Sequence, residues 1–402
     1  MNYRTIEDLG NLNGKVVMLR ADLNVPMNEN FEVTNTARID RTVPTIKELM
    51  SKGAKVVVIS HLGRPSSKDD MANSLRHIVK DLESALGKHV VFVEDCIGPK
   101  VENAIKNMGS DEVLLLENLR FYKEEEKGDE NFAKELVAHV DAYVSDAFST
   151  AHRNHASMVA AVKMRPSAFG RLMEEEVNAL TKALNSPKRP LMAIVGGSKV
   201  STKLDLLNNL VKKVDKLVIV GGMSQTFLRA NGAKTVNEAN SLVQMDMLDT
   251  AKEIMATAKA NNCKIILPVE VVVAKEFKAN AEYKMVKIDE IPAEGWTIVD
   301  AGVLTVAFIC KELEGCETII WNGPLGVFEM KPFDKATNYV AEHVAELTKY
   351  GELMSVAGGG DTVSALTNAG LEKDFSYIST AGGAFLEWME GKELPGVEVL
   401  KK

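Results

Sequence analysis

The sequence predicts an α/β fold of two doubly wound domains with parallel sheets, joined by a helical hinge. Three observations predict it. Short β-branched runs alternate with segments of helical period along the chain, the pattern of parallel strands covered by helices. The alternation occurs as two series, separated by a helical stretch at residues 174–184 and the turn-forming Asn185-Ser186-Pro187. The loops that follow the strands also differ in kind, cationic in the first series and glycine-rich in the second.

In the first series, residues 15–19 predict a buried strand. Ile39, Val43, Ile46 and Leu49 then recur at helical spacing, with Gly53 as a stop signal. Pro44 sits inside that pattern, where it would remove a helical N–H and kink the helix. Residues 55–60 predict the next strand, and Leu75, Ile78, Val79, Leu82 and Leu86 a helix ended by Gly87. Strands follow at 89–93, 113–116 and 142–145. The second series begins near Pro190, with strands at 191–195, 217–220, 265–267, 318–321, 353–356 and 377–379 and helices filling the gaps.

The 402 residues suit two or three domains and leave ample chain for a core. Charge is 48 − 56 = −8, which disfavours a dedicated nucleic-acid binder. Charged residues at 26% and hydrophobic ones at 46% exclude disorder, collagen and coiled coil. No apolar run approaches the ~18 residues of a membrane span. The first ten residues carry Arg4, Glu7 and Asp8 and no apolar stretch, so no signal peptide is expected. Four cysteines make neither a disulfide framework nor a zinc pattern. The expectation is a reduced, cytoplasmic, soluble protein without nucleic-acid or membrane partners.

In open parallel sheets, ligands bind beyond the carboxyl ends of the strands. The first series offers Arg20-Ala-Asp22-Leu-Asn24, His61-Leu-Gly-Arg64, Glu117-Asn-Leu-Arg120 and His152-Arg153-Asn-His155 there. Arg20, Arg38, Arg64, Arg120 and Arg153 at strand ends or nearby helix starts suit a small polyanion, because a guanidinium grips carboxylate or phosphate with two bonds. Each alone reads equally as a surface ion pair. His152 and His155 lack a third ligand, so no metal is expected there. Asp22 and Asn24 could accept from substrate hydroxyls or cap a turn.

The second series offers Gly196-Gly197, Gly221-Gly222, Gly358-Gly359-Gly360 and Gly382-Gly383. Glycine loops running into helices suit phosphates, through backbone N–H groups and the helix dipole. Neither G-x-x-x-x-G-K-[ST] nor G-x-G-x-x-G occurs, so each loop reads equally as a tight strand–helix turn. Asp361 could hold Mg²⁺ or merely cap a helix, and Thr362 could donate to phosphate. Lys199 and Lys203, four apart, would share a helix face and repel unless an anion lay between them.

Taken in order, these words resemble the phosphoglycerate kinase family over almost the whole chain. The match includes Arg20-Ala-Asp22-Leu-Asn24-Val-Pro26, Ser60-His61-Leu-Gly-Arg64-Pro65, Glu117-Asn-Leu-Arg120-Phe, Asp146-Ala-Phe and Ala151-His152-Arg153. It continues through Gly196-Gly-Ser-Lys199-Val, Lys203-Leu, Gly221-Gly-Met, Trp321-Asn-Gly-Pro324, Val327-Phe-Glu329 and Gly358-Gly-Gly-Asp361-Thr362.

The resemblance implies a monomeric, two-lobed, Rossmann-like kinase that bends at a hinge. It would pass the acyl phosphate of 1,3-bisphosphoglycerate to Mg-ADP, giving 3-phosphoglycerate and ATP. The implied substrate residues are Asp22, Asn24, Arg38, His61, Arg64, Arg120 and Arg153. The implied nucleotide residues are Lys199, Lys203, Gly302, Glu329 (ribose), Gly359, Gly360, Asp361 and Thr362, with Asp361 also the magnesium ligand. Residues 1–172 would bind 3-phosphoglycerate and 187–390 the nucleotide, with 173–186 as hinge and 391–402 returning to the first domain. Val303, Ser149, Ala381 and Glu270 depart from the family pattern, the first beside the adenine pocket.

The chemistry follows from charge. A carboxylate with a pKa near 4 is ionised at neutral pH, so no general base is required. The task is to bring two anions together and stabilise the transferring group. Arg38 and Lys203 are expected on its oxygens, assisted by the Gly359 and Gly360 amides and Mg²⁺. A nucleotide-dependent oxidoreductase lacks its glycine fingerprint here, and an anion-binding scaffold has no need of these cations and Asp361.

Overall fold

Val16–Ala21 (β1), Lys55–Ile59 (β2), His89–Val93 (β3), Glu112–Leu116 (β4), Ala142–Asp146 (β5) and Ser167–Phe169 (β6) form one sheet in the computed structural model, which describes residues 3–402. The first two residues, part of the segment for which no signal peptide is expected, lie outside the described ones. The strand order is β3-β4-β2-β1-β5-β6, and every pairing is parallel. The sequence does not predict β6, because Ser-Ala-Phe is short and holds no β-branched residue.

The second parallel sheet is built from Leu191–Val195 (β7), Lys216–Ile219 (β8) and Lys264–Ile266 (β9), with three later strands. Between them lies an element the alternation does not predict, a three-stranded antiparallel sheet. Its strands are Glu270–Ala274 (β10), Tyr283–Lys287 (β11) and Thr297–Ala301 (β12), with β10 central. The expected helical filling fails here because β11 is an exposed edge strand, carrying Lys284 and Lys287 and only one residue, Val286, that is not exposed. The run Val271-Val272-Val273 is the one local signal, and its side chains pack to both faces of this sheet. The series ends with Thr318–Asn322 (β13), Met354–Gly358 (β14) and Tyr377–Ser379 (β15), giving the order β15-β14-β13-β7-β8-β9, again all parallel.

By internal packing the chain divides into two units. One runs through Val177 and takes in Glu393–Lys402, and the other is Asn178–Lys392. In the first, Val17, Leu19, Val56 and Val58 pack on Ile39 and Ile46 of helix α1 (Ala37–Ser51). In the second, Ile194, Ile319 and Trp321 pack on Val340 and Val344 of the helix Lys335–Lys349. Each such buried aliphatic side chain contributes ~1.5–3 kcal/mol. Helix α1 runs through Pro44 without a break. The division falls inside helix α2 (Arg171–Leu180). Within the first unit, Arg4 donates its backbone N–H to Leu400 O at 3.0 Å and its guanidinium to Val399 O at 2.7 Å.

Candidate active site

Register brings the cationic loops together. Arg20 pairs with Ile59 across β1 and β2, and Ala21 with Asp146 across β1 and β5, so the loops after these strands leave one sheet edge side by side. Asn24 Oδ1 accepts from Gly63 N at 2.8 Å, tying the first loop to the second. Asn118 binds the second to the fourth-strand loop, donating to Leu62 O at 2.7 Å and accepting from Arg120 N at 3.0 Å. Arg120 in turn donates to Gly63 O at 2.8 Å.

Asp22 is the anionic centre of this edge. It is 6% exposed and accepts from Arg38 NH1 at 2.8 and 2.7 Å. Ser149 Oγ adds a bond at 2.5 Å. Burial pushes the Asp22 carboxyl up, but the Arg38 charge and the Ser149 bond together outweigh it and hold the group below its ordinary value. Arg38 comes from the first turn of α1, which places a half-buried guanidinium over the loop.

His61 is buried, and burial with the neighbouring Arg20 charge drives it well below its ordinary value, so it is neutral at physiological pH. Arg20 NH2 lies 3.2 Å from His61 Nδ1. Since arginine only donates, Nδ1 accepts and Nε2 carries the proton. Arg64 and Arg153 are exposed.

Arg20 itself is corrected by the structure. It is 0% exposed, donating to Ser157 Oγ at 2.9 Å and Ala21 O at 2.5 Å, with the buried Glu125 on the same serine at 2.5 Å. It belongs to the core beneath the site rather than to the ligand surface.

In the second unit the glycines separate into two kinds. A Cβ on Gly196 would meet Pro324 O at 2.1 Å, and one on Gly323 would meet Gly196 O at 2.3 Å. These two serve backbone-on-backbone packing between the β7 and β13 loops. Gly359, at φ 94°, is the residue before helix Gly360–Ala369, and a Cβ on Gly360 would meet nothing within 4 Å. That helix start is open for an anion.

Lys203 is held against this loop. Its Nζ donates to Gly196 O at 2.5 Å and Asn322 Oδ1 at 2.7 Å. Burial pushes the ammonium down to about 8, while the Asp361 charge opposes the shift. Lys199 does not share its helix face. Lys199 is extended and exposed before the short turn Val200–Thr202, and Lys203 precedes helix Leu204–Leu210. The expected repulsion is therefore absent.

A cavity of about 510 Å³ adjoins the loop, walled by Leu242, Val271, Ile298 and Val327, with Glu329 and Asp361 among its lining. Thr362 is buried and accepts from Gly323 N at 2.7 Å. Gly302 is not among the cavity's lining residues. It gives its N–H to Glu270 O at 2.8 Å, and a Cβ there would meet the Glu270 side chain at 2.5 Å. Glu270 Oε2 also accepts from Leu304 N at 2.9 Å, so Gly302 is a packing position at a helix start.

Sequence reasoning missed Asn322 and Ser149 as site residues. Asn322 lies inside Trp321-Asn-Gly-Pro324 with no charge to mark it, and Ser149 shows only as a departure from glycine. Among the described residues, no group of three or more potential ligands could hold a metal ion unaided. Asp361, exposed at the helix start, fits Mg²⁺ in the usual manner, one carboxylate sharing the ion with substrate phosphates and water. Among the described residues no helix is long and apolar enough to cross a membrane.

Residues 6–392 match the family model described as phosphoglycerate kinase. The phosphoglycerate kinase of Methylorubrum extorquens (strain PA1) is 54% identical over 400 residues, covering 100% of this chain and 99% of the relative. That of Brucella abortus biovar 1 (strain 9-941) is 53% identical over 402 residues, covering 100% of both. Among solved structures, phosphoglycerate kinase from Coxiella burnetii superposes with a TM-score of 0.89 at 38% identity, over 99% of this chain and 98% of that one. The enzyme from Pyrococcus horikoshii OT3 gives 0.81 at 31%, with the same coverage.

Proposed function

Because this chain belongs to the phosphoglycerate kinase family, we propose that its first unit binds 3-phosphoglycerate, its second binds Mg-nucleotide, and Arg38 and Lys203 meet the transferring phosphoryl group. The protein is an enzyme, the glycolytic phosphotransferase that moves the acyl phosphate of 1,3-bisphosphoglycerate reversibly to ADP, giving 3-phosphoglycerate and ATP. The oxidoreductase and scaffold readings find no support in this family.

One observation carries the assignment of roles. The bonds of Lys203 go to two neutral oxygens, Gly196 O and Asn322 Oδ1, beside an open helix start. A half-buried ammonium without a carboxylate contact favours an incoming anion, and nucleotide phosphate is the anion the family supplies.

In the first unit, Asp22, Asn24 and the Nε2–H of His61 offer acceptors and a donor for a hydroxyl and carboxylate. Arg64, Arg120 and Arg153 supply charge for the phosphate end. Arg38 starts on Asp22 and passes to the phosphoryl oxygens, since both are anionic. The carboxylate nucleophile is already ionised, so these residues orient, neutralise and exclude water rather than move a proton. In the second unit, the cavity takes the base, Glu329 the ribose, and Lys199 and Thr362 the phosphates, with the Gly359 and Gly360 amides close by. Magnesium, held by Asp361, would shield phosphate charge. We read the enzyme as a cytoplasmic monomer whose hinge lies around α2.

The test is formation of 1,3-bisphosphoglycerate from ATP and 3-phosphoglycerate, coupled to NADH oxidation. Wild type should turn over and Lys203→Ala should not, while still binding nucleotide. Full turnover by Lys203→Ala would remove the assignment.

A further inference from the structure

Helix α1 carries more than Arg38. Arg38, Arg41, Thr45 and Glu48 fall at i, i+3, i+7 and i+10, one stripe along the helix. Three of the four bind the first turns of α2. Arg41 lies 3.6 Å from Glu175 and 3.7 Å from Glu176. Glu48 accepts from Arg171 Nε and NH2, both at 2.7 Å. Thr45, 0% exposed, donates to Asp146 Oδ2 at 2.6 Å and accepts from Arg171 N at 3.1 Å.

Asp146 completes the joint. It ends β5, is 1% exposed, and accepts from Met173 N at 2.9 Å. A Cβ on the neighbouring Gly170 would fall 2.2 Å from its Cγ, so the chain must be bare there for the carboxylate to cap α2. Thr45 thus fills two places at once, as a donor to the cap and an acceptor for an otherwise unmatched N–H of a helix start.

Pro44 gives this joint a purpose. It lacks the N–H that would bond to the carbonyl of Asp40, in the stretch of helix between Arg38 and Thr45. The first turn is therefore less firmly held by its own ladder. Its placement leans on the outside bonds of the stripe and on Thr42 Oγ1, which donates to Arg38 O at 2.9 Å.

We propose that Thr45 and Asp146 are positioning residues for Arg38: their hydroxyl–carboxylate bond locks α1 onto the start of α2, and the guanidinium two turns up the same stripe takes its place from that lock. This rests on the reading that Arg38 meets the transferring phosphoryl group. It adds a role for two buried residues that touch no substrate, and it makes α2 part of the active site's framework.

The experiment compares steady-state kinetics of Thr45→Val, Thr45→Ser and Asp146→Asn, alone and with Arg38→Ala. Thr45→Val keeps the shape and deletes the hydroxyl. It should lower kcat about tenfold with KM for 3-phosphoglycerate changed less than about twofold, and Thr45→Ser should restore kcat. Asp146→Asn should show the same split and serves if Thr45→Val fails to fold. In the Arg38→Ala background, Thr45→Val should cost less than about twofold, because what it positions is gone. Unchanged kcat in Thr45→Val, equal losses in the valine and serine variants, or the same factor in both backgrounds would overturn the proposal. A wild-type kcat for Arg38→Ala alone would instead sink the Arg38 reading.

Discussion

Lys203 Nζ donates to Asn322 Oδ1 at 2.7 Å, and the amide of the same asparagine donates to Gly358 O at 2.9 Å. One side chain at the end of β13 therefore fixes the ammonium against the glycine loop that follows β14. The lysine's charge is set by the same packing: burial lowers its pKa to about 8, with Asp361 opposing.

That value makes a pH test. A lowered lysine is charged below about 8 and loses its proton above it. The profile of kcat/KM for Mg-ATP, which reports the free enzyme, should be level below that pH and fall above it. Lys203→Arg stays protonated and should lose the alkaline limb, whatever its absolute rate. An unchanged limb in Lys203→Arg would assign the titration elsewhere.

Arg38 shares Asp22 with Ser149 in the resting enzyme. Arg38→Ala should lower kcat by at least ~10², on the order of 3 kcal/mol of transition-state stabilisation. Arg64, exposed on its loop, should act through KM for 3-phosphoglycerate instead. Stopped-flow or steady-state rates within about threefold of wild type for Arg38→Ala would rule out its role.

Asp361 should matter to nucleotide chiefly through the ion. Titration calorimetry of Asp361→Ala should show Mg-ADP weakened far more than metal-free ADP. Equal weakening of both would leave Asp361 as a helix cap.

Asp300 bears on stability. It is 4% exposed, accepts from Ala301 N at 2.9 Å and Ala336 N at 3.1 Å, and burial with the nearby Asp334 charge pushes its carboxyl up to about 8. A raised folded-state pKa means the native protein holds the proton more tightly than the unfolded chain. Its contribution is full below the ordinary carboxylate range and is lost as pH rises through about 8. Denaturant midpoints should fall between pH 6 and 9 by more in wild type than in Asp300→Asn. Parallel declines would mean that Asp300 does not set the slope.

Local signals carried much of this. The runs Lys55–Ile59 and Leu191–Val195 are buried on both faces, so their hydrophobicity is continuous and plain in the sequence. Asp22, His61 and Arg120 were legible because each follows a strand, and parallel strands deliver the loops that follow them to one edge. The antiparallel strand Tyr283–Lys287 was not, since an exposed edge has no buried face to set a readable period.

Residue order was enough for the alternation, the two series and the chemical contrast between cationic and glycine loops, because period and turn chemistry act over neighbouring residues. It could not distinguish Arg20 from Arg38, both arginines close to a strand end or helix start. Only the packed sheets bury the first beside Ser157 and lay the second on Asp22. Nor could it separate Lys199 from Lys203, or reveal that Gly196 is bare for a facing carbonyl and Gly360 for open space. Burial and partner choice depend on which strands become neighbours, and that is decided by contacts between residues far apart in the chain.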